Sequence, residues 1–85
     1  MFQSYFSKKF TKQYSKLPLS TRNKFDKQIQ YLLSDLRHPS IHAKKKQGEV
    51  DVWEGRVDRF YRFTFTLSED VITLRAIGPH DEALD

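Results

Sequence analysis

Glu54, Arg56, Arg62 and His80 are the side chains of this sequence best suited to chemistry. In extended backbone, successive side chains point to opposite faces, so Glu54 and Arg56 share one face while Trp53 and Val57 share the other. The run Phe60-Tyr61-Arg62-Phe63-Thr64-Phe65 sorts in the same way. Tyr61, Phe63 and Phe65 go to one side, Arg62 and Thr64 to the other. A guanidinium stays charged and offers a planar fork of donors, which suits a phosphate or carboxylate. Imidazole titrates near neutrality and serves as acid or base. A sheet with one aromatic face and one bearing Glu and Arg, ending at a His, can bind an anion and move a proton.

Those residues need strands to hold them. Three are expected, at about 51–57, 60–67 and 71–78, with tight turns around Asp58-Arg59 and Ser68-Glu69-Asp70. Such close spacing makes an antiparallel meander. Tyr61, Phe63, Phe65 and Leu67 should pack into a core together with Ile72, Leu74 and Ala76. Arg62, Thr64, Thr73 and Arg75 then share the open face with Glu54 and Arg56. Upstream, Phe6, Phe10, Tyr14 and Leu17 form one stripe of an amphipathic helix with Ser7 as its N-cap. Pro18 breaks that helix. A second helix, capped by Ser20 or Thr21, carries the stripe Phe25, Ile29, Leu32, Leu33 and Leu36, and Pro39 stops it.

Phe2 to Tyr5 reads as an edge strand, and Ala43 to Lys46 as a further short one within the polar connection 39–51. The order β-α-α-β-β-β gives an α+β fold, an antiparallel sheet with an N-terminal helical hairpin packed on its aromatic face. At 85 residues the chain is expected to be a single domain spanning 1–85. Seven Phe, four Tyr and one Trp supply its core without staples.

The sequence has no Cys, which excludes a disulfide framework or thiolate metal site. His38 and His42 flank Pro39-Ser40 with no third ligand in a credible geometry, so neither a metal nor a cofactor is expected. No run approaches a transmembrane helix, and the N-terminus lacks the apolar stretch of a signal peptide. A soluble cytoplasmic protein is the expectation, with no membrane partner. The net charge of +4 conceals an asymmetry. Residues 1–46 hold eleven Lys/Arg against Asp26 and Asp35, whereas residues 47–85 hold four Arg against nine Asp/Glu. A basic half of this kind fits either a polyanionic partner or a pair of solvated helix faces.

Taken together, the helical hairpin, the Lys-rich connection, Trp53-Glu54-Gly55-Arg56, Phe60 to Phe65 and the closing Gly78-Pro79-His80-Asp81 resemble the RelE/ParE superfamily of type II toxin–antitoxin toxins. The resemblance covers nearly the whole chain. It implies a cognate antitoxin as partner and one of two activities: cleavage of messenger RNA in the ribosomal A site, or inhibition of DNA gyrase. The first is the reading we adopt, and a family member that retains only antitoxin binding is a third possibility. RNA cleavage of this kind uses the substrate's own 2′-hydroxyl, a base, an acid and cations on the phosphate, and requires no metal.

By the same resemblance Arg62 aligns with a strand arginine placed for the scissile phosphate. His80 stands where relatives carry a His or Arg for proton transfer or phosphate stabilisation, and Arg56 where several carry a second cation. Glu54 is read first as the ion-pair partner of Arg56 and second as a general base. Lys44, Lys45, Lys46 and Arg75 are the candidates for contact with RNA or the ribosome, the lysine run also being explicable as a solvated one. Trp53 is read as a core-edge residue, with stacking on a base as the alternative. The sequence departs from the family pattern after His80, where Asp81 to Asp85 contain no aromatic. Asp81 is placed to orient His80.

Overall fold

Period-two alternation over the C-terminal half and helical stripes over the N-terminal half produce two layers. The structure is a computed structural model and describes residues 1–48 and 51–80. In chain order the elements are β1 (Gln3–Phe6), α1 (Lys8–Ser15), α2 (Leu19–Ser34), a 3-10 turn (Pro39–Ile41), β2 (Lys44–Lys45), β3 (Val52–Arg56), β4 (Tyr61–Ser68) and β5 (Val71–Pro79). The strands form one sheet in the order β1-β5-β4-β3-β2. From β2 to β5 the pairing is antiparallel, as the short turns require. The sheet as a whole is mixed, because β1 pairs with β5 in parallel. Parallel neighbours need a long crossover, and the helices and the strands after them supply it.

Ser7 caps α1 as its position suggests, its hydroxyl accepting the Phe10 N–H at 3.1 Å. The start of α2 differs from expectation. Pro18 is its N-cap and makes no side-chain bond, leaving Ser20 and Thr21 inside the first turn. The end differs too: α2 stops at Ser34, well before Pro39, and Leu36 lies beyond the helix. Asp35 is extended, and its carboxylate accepts the N–H of Arg37 at 3.0 Å. That local bond competes with continued helix.

Phe10, Phe25, Ile29 and Leu32 from the helices meet Phe63, Phe65, Ile72, Leu74 and Ile77 from the sheet. The Phe25 ring sits edge-on to Phe63 at 5.3 Å and tilted to Phe10 at 5.2 Å, within the favourable range for aromatic pairs. One expected core assignment is corrected. The β4–β5 register shifts between Thr64 and Phe65, so Arg75 is an extra residue on β5. Beyond this bulge the parity inverts. Ile77 pairs with core residue Phe63, and Ala76 pairs with Thr64 on the other face. Binary pattern hides the switch because Ala76 and Ile77 are both apolar.

Gly55 lies opposite Phe63, and its lack of a side chain is what admits that ring. A Cβ there would stand 2.5 Å from Phe63 Cζ, and Phe63 is fully buried with nowhere to move.

Candidate functional site

Register turns the charged face into a site. Arg56 on β3 stands directly opposite Arg62 on β4, and Glu54 stands between Thr64 on one side and Lys44 of β2 on the other. Like charges facing each other across a ladder are unfavourable by themselves. On the far side of Arg62 is Gly78, which presents no side chain. The result is a polar cleft of about 460 Å³ lined by His42, Lys44, Glu54, Arg56, Arg62 and His80, with Ala43 and Gly55. Three permanent cations face one carboxylate, with two imidazoles beside them.

Arg62 is held in place by the turn that precedes it. Its Nη1 donates to the carbonyls of Asp58 at 2.6 Å and Tyr61 at 3.1 Å, which leaves the rest of its five-donor fork available. The turn is itself organised by Asp58, whose Oδ1 accepts the N–H groups of Phe60 (2.8 Å) and Tyr61 (2.9 Å). Its other oxygen takes Lys24 Nζ of α2 at 3.1 Å. Burial by itself would push the Asp58 carboxyl up. The two amides and the Lys24 ammonium outweigh burial and hold it below the usual carboxylate range.

Arg56 is different. Its Nε is buried and has no hydrogen-bond partner among the described residues. An orphaned donor of this kind costs about 1–3 kcal/mol, and such groups mark strain or function. Glu54 does not relieve it. No ion pair or hydrogen bond joins the two among the described residues, so the expected Glu54–Arg56 pairing is corrected. Both side chains extend from the same strand face into the cleft, and neither neutralises the other. Thr64 Oγ1, in the next row, is also buried without a partner.

The lysine run divides. Lys44 lines the cleft, whereas Lys45 pairs with Trp53, its ammonium 5.8 Å from the indole centroid. Lys44, Lys45 and Lys46, with Gln47 and Glu54, also border a neighbouring depression of about 580 Å³. Trp53 stacks on Phe65 at 6.2 Å on the helix side, away from the cleft, in keeping with its core-edge reading. Arg75, the bulged residue, does not line the cleft, and its carbonyl accepts the Ser7 hydroxyl at 3.1 Å. His80 lines the mouth, while Asp81 and the residues after it lie outside the described residues.

Two residues of the site escaped the sequence reading. His42 leaves the 3-10 turn in the left-handed region, φ 52°, and this brings it beside Lys44 in the cleft. No local pattern marks it. Gln28, buried on α2, donates its Nε2 to the carbonyls of Ser40 (2.9 Å) and Arg56 (2.8 Å). It thereby ties the segment carrying His42 to the end of β3. A signal for it did exist: Phe25, Gln28 and Leu32 are spaced three and four apart, which puts a glutamine on the core stripe. His38 is occupied elsewhere, stacked on Tyr31 at 4.1 Å with its Nδ1 accepting the Ser40 N–H. No group of three or more metal-ligating side chains occurs among the described residues.

No protein-family model matches the sequence. No curated protein matches it either. Solved structures do resemble the fold. The RelE–RelB complex from Pyrococcus horikoshii OT3 contains a chain with TM-score 0.78 and 18% identity, covering 96% of this chain and 98% of its own. The isolated RelE toxin of E. coli gives 0.76 at 17%, covering 98% and 88%. The YoeB dimer from Staphylococcus aureus gives 0.78 at 12%, covering 93% and 97%. The chain has a RelE-like α+β fold: a helical hairpin on one face of a five-stranded mixed sheet.

Proposed function

We propose that this protein is the toxin of a type II toxin–antitoxin system, an endoribonuclease that cleaves messenger RNA in the ribosomal A site. The observation that carries this reading is the Arg56–Arg62 pair, two arginines opposite each other in register and lining one cleft. A phosphate relieves the like-charge opposition. The RelE-like fold supports the same reading, since E. coli RelE is described as a toxin and RelE chains have been solved with RelB antitoxin. A cognate antitoxin is the proposed partner.

In the proposed reaction Arg62 and Arg56 bind the scissile phosphate. A base removes the 2′-hydroxyl proton, that oxygen attacks the adjacent phosphorus, and the 5′-oxygen leaves with a proton from an acid. Glu54, with no ion-pair partner among the described residues, takes the role of base and His80 that of acid. Lys44 adds positive charge beside Glu54, and Lys45 and Lys46 on the neighbouring depression contact the nucleic-acid backbone. The helical lysines 8, 9, 12, 16, 24 and 27 are all exposed, which suits a negatively charged target. Action inside the cell requires a cytoplasmic location. Among the described residues no helix is long and apolar enough to cross a membrane.

The test is pulse labelling of protein and DNA synthesis directly after induction without a partner. Protein synthesis should fall first, with His80→Ala and Arg62→Ala relieving growth arrest. An early fall in DNA synthesis with relaxed plasmid would replace this reading with gyrase inhibition. Folded variants that remain fully toxic would remove Arg62 and His80 from the mechanism.

A further inference from the structure

The turn between β3 and β4 carries a feature that the phosphate site leaves unused. Phe60 is 61% exposed in the turn that Asp58 organises. Asp58 fixes the backbone on either side of it, accepting the N–H groups of Phe60 and Tyr61. Lys24 anchors Asp58 to α2, and Arg62 bonds back to the Asp58 carbonyl. Single exposed apolar side chains are common. Here the backbone that carries the ring is held by Asp58 and His80, and the ring packs against Arg59.

The position of Phe60 follows from register. The last ladder pairs are Arg62 with Gly78 and Tyr61 with Pro79. One further pair brings Phe60 opposite His80, and the His80 N–H donates to the Phe60 carbonyl at 2.7 Å. Phe60 immediately precedes β4 and lies two residues, at most roughly 7 Å along the chain, from Arg62. Phe60 is not itself part of the cleft lining, but its backbone partner His80 is, so Phe60 adjoins the cleft at its His80 end, two residues from Arg62. The Arg59 guanidinium carbon stands 5.1 Å from the Phe60 ring centroid. That cation packs on the ring.

We propose that Phe60, backed by Arg59, is a nucleobase-stacking subsite for the nucleotide that adjoins the phosphate held by Arg56 and Arg62. The inference rests on the RNA reading of the cleft and adds a second recognition element to it. Aromatic rings accept any base on their faces. The subsite thus sets the position of the strand and favours purines through their larger face, without reading hydrogen-bonding edges.

The test uses purified protein and a short 2′-O-methyl RNA oligonucleotide, which binds without offering a 2′-hydroxyl nucleophile. The fluorescent base 2-aminopurine is placed at each position in turn. One position should be quenched on binding, and Phe60→Ala should abolish that quench while raising Kd roughly 5- to 150-fold. Phe60→Trp should retain affinity, whereas Phe60→Leu, equally apolar but without a π face, should behave as Phe60→Ala does. An abasic residue at the quenched position should weaken wild type and leave Phe60→Ala unaffected. Because Phe60 is exposed, each variant should keep the wild-type thermal midpoint. If Arg62→Ala weakens binding and Phe60→Ala does not, or if Phe60→Leu binds as wild type does, the subsite is refuted and the phosphate site stands. If the oligonucleotide fails to bind wild type, both fall.

Discussion

On the helix face of the sheet, large side chains meet partners of their own kind. Phe10, Phe25, Phe63 and Phe65 form a continuous chain of ring contacts at 5.2–5.8 Å, and all four are almost completely buried. On the opposite face Arg56 confronts Arg62, Glu54 has no ion pair among the described residues, and a guanidinium Nε is buried without an acceptor. The same strands carry both faces, so the difference is not one of local backbone. The helix face closes over an apolar core. The other leaves like charges opposed and a buried donor without a partner among the described residues. Gly55 links the two, because its missing side chain seats Phe63 below while its neighbours Glu54 and Arg56 project above.

This contrast can be broken by substitution, and the largest effect should come from the aromatic face. Phe63→Ala should destabilise the fold by about 3–5 kcal/mol, read from urea unfolding. A loss below about 1 kcal/mol would mean that the core is not where the rings meet. Gln28→Leu comes next, since it removes both donors that hold the Ser40 and Arg56 carbonyls. It should cost about 1–3 kcal/mol and weaken RNA binding as the His42 segment drifts from β3. Unchanged RNA affinity would separate the clamp from the cleft.

Arg56→Met should act in the opposite sense on stability. Removing one of two facing cations and an orphaned donor should raise stability by about 0.2–1 kcal/mol, while RNA binding falls. A variant that lost stability and kept affinity would overturn the division between the faces. The smallest effect is expected at Asp58→Asn. The folded-state carboxyl lies below its ordinary value, so the folded chain binds fewer protons than the unfolded one. Its contribution is complete above about pH 4 and is lost as pH falls through the depressed value. Lys24 is more than half exposed, so the gap from the Asn variant should be under about 1 kcal/mol at neutral pH. That gap should close in acid. A gap that widened instead would mean that folding raises the Asp58 carboxyl and that burial outweighs its amide and ammonium partners.

Much of the layout was legible because it is local. Ser7 as a helix cap, Pro18 between the helices, the turn at Asp58 and the aromatic parity of β4 each depend on a few adjacent residues. The failures were of another kind. α2 ends at Asp35 because a side chain bonds the backbone two residues on, a competition that apolar periodicity does not register. Ala76 changed faces because one extra residue at Arg75 inverted the parity of β5. Lys44 and Lys45 read as one basic run, yet strand pairing sends one to Glu54 and the other to Trp53.

Side-chain parity is a property of the extended backbone, and so Glu54 and Arg56 on one face, with Arg62 and Thr64 on one face, followed from sequence alone. Which strands meet, and in which register, is decided by packing between distant segments. Only the tertiary structure could set Arg56 against Arg62, bring His42 into the cleft through a left-handed turn, and pair Phe60 with His80. The residues capable of chemistry were written in the chain. Their convergence depended on contacts such as Gln28 to Arg56, across 28 residues, whose energy exists only once the core has formed.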